Sequence, residues 1–298
     1  MKPAAFDYFR PSSLEEALQQ LATGGESAKL IAGGQSLGPM LNMRLAAPAE
    51  LIDLNDLTEL AYIRDVGDAL EIGALTRHYQ IAESKLVQAH CPLLAQAAQT
   101  IGHYAIRQRG TLGGSLAHAD PAAQLPLVAV TLAARIAVIS SRGRREIAGA
   151  EFFLSAMTTV LAADEIILSV RFPKALAGEG TSFQLFNRRH GDYAIVSAAV
   201  TVALAGDRVT QLRVGLSGVS PVPKSFNEVV GPFAGRLAHA AWAAELARAL
   251  REAVAPEDDP RISAVYRKEL AQTLVERALL SALRRAQAEA KDESHEQA

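Results

Sequence analysis

Two glycine pairs, Gly33-Gly34 and Gly113-Gly114, restrict the folds open to this chain more than any other feature. The first lies in Leu30-Ile31-Ala32-Gly33-Gly34-Gln35-Ser36-Leu37, an apolar run passing directly into a glycine turn. The second lies in Arg109-Gly110-Thr111-Leu112-Gly113-Gly114-Ser115. In such a turn consecutive N–H groups can face one concavity and bind an anion, and the missing side chains let a pyrophosphate approach the main chain. Thr111 and Ser115 add hydroxyl donors. One Gly-Gly alone is equally at home in a tight structural turn. Two of them, similarly flanked, favour a pair of anion-binding nests. Neither has the three-glycine spacing of a dinucleotide fingerprint, and no Gly-Lys-Ser/Thr follows either, which excludes a phosphate-binding loop of the nucleotide-hydrolase type.

The segments around the pairs mix strand and helix. Ser12 and Ser13 followed by Glu15 and Glu16 predict a capped helix after a strand at residues 6–9. Short apolar runs at 29–32, 50–53 and 69–72 predict strands. Helical spacing appears at 93–101 and at 121–133, the latter with proline in its first turn, and a hairpin is expected around Arg142-Gly143. The strand at 165–172 stops at Pro173. Beyond a small connector at 175–181, residues 182–188, 196–205 and 209–217 read as consecutive strands with a turn at Gly206-Asp207, and helices at 237–253 and 262–286 close the chain. The fold class is therefore α+β, with a mixed region to about Pro173 and then a smaller sheet-then-helix unit. Residues 284–298, rich in Ala, Glu, Gln, Arg and Lys, are expected to be a fraying helix end followed by disorder.

Several function classes drop out on charge and residue type. Lysine plus arginine is 30 and aspartate plus glutamate is 32, so the net charge of 30 − 32 = −2 gives no general pull toward nucleic acid or anionic membrane. The only cysteine, Cys91, provides neither an internal disulfide nor the four thiolates of an iron-sulfur cluster, and a reduced, cytoplasmic setting is expected. Met1 to Arg10 lacks the apolar centre of a signal peptide, and the apolar stretch 125–139 is broken by Thr131 and Arg135, so no membrane span is expected. His118-Ala119-Asp120 lacks the spacing of a metal site, and Ser115 and Ser217 lie outside any Gly-x-Ser-x-Gly nucleophile elbow.

With these exclusions made, Ala-Gly-Gly-Gln-Ser at 32–36, Leu51-Ile52-Asp53-Leu54, Ile101-Gly102-His103, the run from Ile106 through Ser115, Ala117-His118-Ala119-Asp120-Pro121-Ala122-Ala123 and Arg188-Arg189-His190-Gly191-Asp192-Tyr193-Ala194 are informative together. They closely resemble the FAD-binding medium subunit of the molybdenum hydroxylases, the family of xanthine dehydrogenase and aerobic carbon monoxide dehydrogenase, over most of residues 1–285. The resemblance implies an FAD-binding domain of the vanillyl-alcohol oxidase-like type at 1–175, a C-terminal domain at 180–285 and a tail at 286–298. It implies that FAD is held by Leu30, Ile31, Ala32, Gly33, Gly34, Gln35, Ser36 and Leu37 and by Thr111, Gly113, Gly114 and Ser115. Ile101 and Ile167 would pack against it, Asp120 and Gln124 would contact it, and Tyr193 would approach the isoalloxazine. The chain departs from the family pattern at Gln124, usually acidic, and at Gln184 and Leu185, where a lysine is common.

The function implied is electron transfer from iron-sulfur clusters of a small partner subunit, reduced by a large molybdenum-cofactor subunit, through FAD to an external acceptor. Two other readings stay open on sequence alone. A freestanding FAD-dependent oxidoreductase would share only the N-terminal fold, and a flavin-free structural subunit would have a degenerate cleft.

Overall fold

Ser13 begins the first helix by accepting a hydrogen bond from the Glu16 amide at 3.2 Å, while the Glu16 carboxylate accepts from the Ser12 amide at 2.7 Å. The structure, a computed structural model, describes residues 2–296, with side chains of the last helix described as far as residue 288. Strand β1 (Asp7–Phe9), helix α1 (Leu14–Gly24), strand β2 (Ala28–Ile31), the short helix α2 (Leu37–Asn42) and strand β3 (Glu50–Asp53) form the first unit. Its three strands are parallel in the order β1-β3-β2. Ala17 and Leu21 of α1 pack on Ile52, as the capped amphipathic pattern requires.

The chain then makes β4 (Ile63–Asp65), β5 (Ala69–Gly73), α3 (His78–Glu83), α4 (Lys85–His90), α5 (Pro92–Gln99), α6 (Tyr104–Arg109), α7 (Leu112–His118) and α8 (Gln124–Thr131). Strands β6 (Arg135–Ser140) and β7 (Gly143–Ala148) follow, then α9 (Gly149–Phe152), the small pair β8 (Phe153–Ser155) and β9 (Thr158–Thr159), and β10 (Ile166–Pro173). An antiparallel sheet ordered β4-β5-β10-β6-β7 carries the helices on its apolar face, where Leu94, Leu112, Leu116, Val128 and Phe172 share one core. Cys91 leads into α5, with Pro92 in its first turn, and burial pushes its thiol up to about 12.

A third, antiparallel sheet holds β11 (Glu179–Phe186), β12 (Val196–Ala205), β13 (Arg208–Ser217) and β14 (Lys224–Ser225) in sequence order. After the short α10 (Asn227–Val230), helices α11 (Ala240–Ala253) and α12 (Ala264–Glu296) cover one face of it. The faces of β12 differ. Ala198, Val200 and Val202 meet Trp242, Leu246 and Val275 from the helices. Ser197, Ala199 and Thr201 turn the other way with Gly215 and Ser217 of β13, toward α5 and α8. A Cβ at Gly215 would lie 1.9 Å from the Thr131 hydroxyl of α8, and one at Gly180 would lie 1.9 Å from the Ala282 carbonyl of α12.

Four sequence expectations shift. The helix expected at 121–133 starts at Gln124, so Pro126 and not Pro121 occupies its first turn. The β6–β7 loop is Ser141-Arg142, because Ser140 pairs with Gly143. Strand β11 begins at Glu179, inside the expected connector, since the Leu176 amide caps the Glu179 carboxylate at 2.8 Å and the chain then pairs immediately with Ala203. Helix α12 runs on to Glu296 where fraying and disorder were expected; residues 297–298 of that expected tail lie outside the described residues.

His78, at the start of α3, is buried against Gly110, and its Nε2 lies 3.0 Å from the Thr111 carbonyl. A carbonyl only accepts, so Nε2 carries the proton, and Nδ1 is left buried without a partner among the described residues. Burial, with the Arg77 and Arg107 charges acting the same way, lowers the imidazole pKa to about 4 despite the favourable Thr111 contact.

Two outcomes follow from this packing. Replacement of Gly180 by valine is expected to cost about 1–3 kcal/mol or more by overpacking, read as a lower thermal midpoint, since backbone atoms of α12 occupy the space. For His78 the folded pKa lies below the unfolded value, so the unfolded chain binds more protons between about pH 6.5 and pH 4 and stability falls as pH drops through that window. The His78→Gln variant is expected to lose that contribution, flattening the acid side of a denaturant-midpoint profile by up to about 1.4 kcal/mol per pH unit.

Candidate functional site

The first glycine segment leaves the end of β2 and turns into α2 through residues 33–36. Gly34 takes φ +67°, a left-handed conformation that glycine adopts without strain. Its carbonyl accepts from the Gly38 amide at 2.9 Å, and the Gln35 amide side chain folds back onto the Gly33 carbonyl at 2.8 Å. The main-chain N–H groups of Gly33, Gly34, Gln35 and Ser36 have no partner among the described residues. A run of unused donors on a half-buried turn is a cradle for an anion.

The second segment differs from its sequence reading as an open nest. Residues Leu112–His118 are helical, and Thr111 caps the helix, its hydroxyl accepting from the Gly114 amide at 3.1 Å. The Leu112, Gly113 and Ser115 amides are spent on the carbonyls of Thr76, Ala74 and Thr111 at 3.0, 2.8 and 3.0 Å. The glycines here serve packing first: a Cβ at Gly113 would lie 2.7 Å from that of Ala74. Gly114 is exposed and faces open space except for the Thr111 hydroxyl, and Ser115 beside it is half-buried. This segment offers a bare main-chain face and a hydroxyl.

The two segments touch. A Cβ at Gly33 would lie 2.1 Å from the Arg109 carbonyl oxygen and 2.9 Å from the Gly110 Cα. The Arg77 guanidinium holds this contact from behind, donating to the Arg109 carbonyl and, at 2.6 Å, to Asn55 Oδ1. Asn55 Nδ2 in turn donates to the Ala32 carbonyl at 2.9 Å and to Asp53 Oδ1 at 2.5 Å. Nothing in the sequence marked Arg77, which follows a strand without any motif; Asn55, two residues after Asp53, carries only the weak signal of a side-chain turn.

Tyr193 reaches this site from the loop between β11 and β12. It is 57% exposed, so it is not part of a core. Local desolvation and the Asp120 charge push its phenol above the ordinary range, while the nearby Ser36 hydroxyl pulls it back, so Tyr193, Ser36 and Asp120 are neighbours. Asp120 is fixed by accepting from the Ala122 amide at 2.8 Å. The loop is anchored at both ends. The His190 ring lies 5.7 Å from that of His103, and a Cβ at Gly191 would strike the His103 ring. At its base Arg267 of α12 donates to the carbonyls of Ile195 and Gly218 at 2.9 and 2.8 Å.

The remaining sequence candidates are less exposed. Leu30 and Ile31 end β2, and Leu37 opens α2, all half-buried. Ile101 is half-buried against the largest core, its carbonyl accepting from Arg107 at 3.0 Å. Ile167 in β10 is 6% exposed within that core, and Gln124 is 5% exposed in the first turn of α8. No hydrogen bond among the described residues joins Gln124 to the two glycine segments. Among the described residues no three His, Cys, Asp or Glu side chains form a metal-binding group, and no helix is long and apolar enough to cross a membrane.

Known proteins share this architecture throughout. The family described as the FAD binding domain in molybdopterin dehydrogenase matches residues 4–175, and the CO dehydrogenase flavoprotein C-terminal domain matches residues 181–282. The 6-hydroxypseudooxynicotine dehydrogenase complex subunit alpha of Paenarthrobacter nicotinovorans is 40% identical over 96% of this chain and 97% of its own length. A chain of carbon monoxide dehydrogenase from Hydrogenophaga pseudoflava superposes with a TM-score of 0.92 at 35% identity, covering 96% of this chain and 99% of that one. A chain of quinoline 2-oxidoreductase from Pseudomonas putida 86 does so with a TM-score of 0.91 at 35% identity, covering 97% and 99%. With both halves matched in order and the relatives aligned end to end, the chain belongs to the FAD-binding medium subunits of the molybdenum hydroxylase family.

Proposed function

We propose that this chain is the flavoprotein subunit of a heteromeric molybdenum hydroxylase. It takes electrons from iron-sulfur clusters of a small partner subunit, which a large molybdenum-cofactor subunit reduces, and passes them through FAD to an external acceptor. The observation that carries this reading is the run of unpartnered amides at residues 33–36, seated on the second glycine segment in a chain alignable end to end with such subunits. Bound FAD supplies a centre that exchanges electrons singly or in pairs, which suits a junction between one-electron clusters and a two-electron acceptor.

The residues present fit that cofactor. A diphosphate needs donors without bulk, which the 33–36 turn offers, and the bare face of Gly114 with the Ser115 hydroxyl gives it a second wall. Leu30, Ile31, Ala32 and Leu37 frame the turn and fix its direction. Thr111 and Gly113 hold the second segment in place by capping and close packing. Tyr193, close to Ser36 and on a loop backed by His103 and Arg267, would cover the redox end of the cofactor and limit water there. Asp120, held by the Ala122 amide, adds a negative charge beside Tyr193. Ile101, Ile167 and Gln124 support the cleft wall from the core side.

The flavin-free reading is disfavoured by the unused donors, since a degenerate cleft gives no reason to keep four amides unpaired on a half-buried turn. A freestanding oxidoreductase is disfavoured by the relatives, named as subunits or medium chains of dehydrogenases. We place the subunit in the cytoplasm, a reading supported by the single buried cysteine.

The purified chain is expected to be yellow, with about one FAD released per chain by acid precipitation, since no His or Cys lies in either glycine segment to attach it. The Gly114→Val variant is expected to lose retention at a stability cost of only about 1 kcal/mol, the scale of a disturbed N-cap; a folded variant with full flavin content would contradict the assignment. The chain alone, loaded with FAD and free of molybdenum and iron, is expected to oxidise no purine, N-heterocycle or aldehyde with a dye acceptor. Substrate-dependent dye reduction at an enzyme-like rate would favour the freestanding oxidoreductase instead.

A further inference from the structure

Among the described residues Arg77 has no ion-pair partner. Its guanidinium is half-buried and its hydrogen bonds go to the Arg109 carbonyl and the Asn55 amide oxygen, both neutral groups. Among the described residues no carboxylate lies within ion-pairing distance of it. The nearest acid, Asp53, is held off by Asn55, which accepts from Arg77 with its oxygen and donates to Asp53 with its nitrogen. Its surroundings add more positive charge. Burial and then the Arg109 charge lower the pKa of Arg77 against the weaker opposing pull of Tyr79 and Asp53, and Arg107, which donates to the carbonyls of Ile101 and Gly102, adds to the same field at His78. A half-buried, unneutralised charge is costly unless something anionic completes it.

This arrangement faces the first glycine turn. Asn55 joins Arg77 to the Ala32 carbonyl, and the Arg109 carbonyl that Arg77 holds is the atom against which Gly33 rests. The unpartnered amides of 33–36 begin at that point. A positive charge behind the turn and a row of N–H dipoles on it reinforce each other toward one anion.

We infer that Arg77 is the positioning residue that supplies the countercharge for the cofactor diphosphate, acting through the Asn55 and Arg109 bridges. The inference rests on the FAD reading of the site and adds a residue that no glycine motif identifies. The role is electrostatic as well as geometric, so it separates from that of a simple strap. Lysine keeps the charge and loses the fork, whereas glutamine loses the charge. A carboxylate at position 55 would neutralise Arg77 from the protein side while preserving its hydrogen-bond acceptor.

The test titrates the flavin-stripped full chain with FAD at low and high ionic strength, reading flavin fluorescence for Kd. Arg77→Gln is expected to raise Kd by at least about tenfold and to flatten its salt dependence, while Arg77→Lys stays within about threefold of wild type with the dependence intact. Asn55→Asp, nearly isosteric, is expected to resemble Arg77→Gln. Equal losses in the lysine and glutamine variants would reduce Arg77 to a strap and overturn the inference, as would wild-type affinity and salt slope in Arg77→Gln or Asn55→Asp. A wild-type chain that takes up no FAD would instead overturn the cofactor reading, and this inference with it.

Discussion

The main chain at Gly33 rests on the carbonyl of Arg109 with no room for a single added carbon. This contact brings together segments almost eighty positions apart in sequence and fixes where the donors of the first turn point. Around it the Asp53–Asn55–Arg77 bridge does what backbone pairing cannot, since the parallel β1-β3-β2 sheet and the second glycine segment share no ladder. The parallel sheet sets the direction in which β2 delivers the turn, and the antiparallel sheet holds Ala74 and Thr76, whose carbonyls start α7. Each half of the site is thus built by a different sheet, and the glycine contact is where they are brought into register.

Most of the long elements were legible because their patterns are long enough to be unambiguous. The β12–β13 hairpin with Gly206-Asp207 forms as its turn residues require, Ala205 pairing with Arg208. The capped helix after Ser13 forms for equally local reasons. The six-residue helices α2, α3, α4 and α6 escaped notice, being too short to show an apolar period. The early start of β11 was hidden by Gly178 and Gly180, which suggest a connector; Gly180 is there because α12 crosses directly over the strand.

In the site itself the glycine pairs were visible, but their division of labour was not. Sequence gives two similar Gly-Gly stretches, and only the folded chain distinguishes amides left free from amides consumed by neighbouring carbonyls. Arg77 and His78 left no trace as a pattern, and Asn55 only that of a local turn, because their roles come from long-range contacts, with partners between twenty and thirty-odd positions away. Tyr193 was accessible through the likeness to a family, whereas its anchors at His103 and Arg267 depend on chirality and packing that residue spacing does not encode.

The unequal faces of β12 have a mechanical consequence. One face is aliphatic and locked to α11 and α12, while the other carries small and hydroxylated residues, among them Ser197, Thr201 and Ser217, whose oxygens are buried without partners among the described residues. Separating the sheet from α8 therefore exposes less apolar surface than separating it from its own helices, and it lets orphaned hydroxyls meet water. By this measure the seam against α8 is the weaker of the two interfaces, and the sheet is bound more firmly to its own helices. Tyr193 hangs from the unit on one side of that seam and the glycine turn belongs to the other, so the two parts of the proposed site lie on opposite sides of the weaker interface.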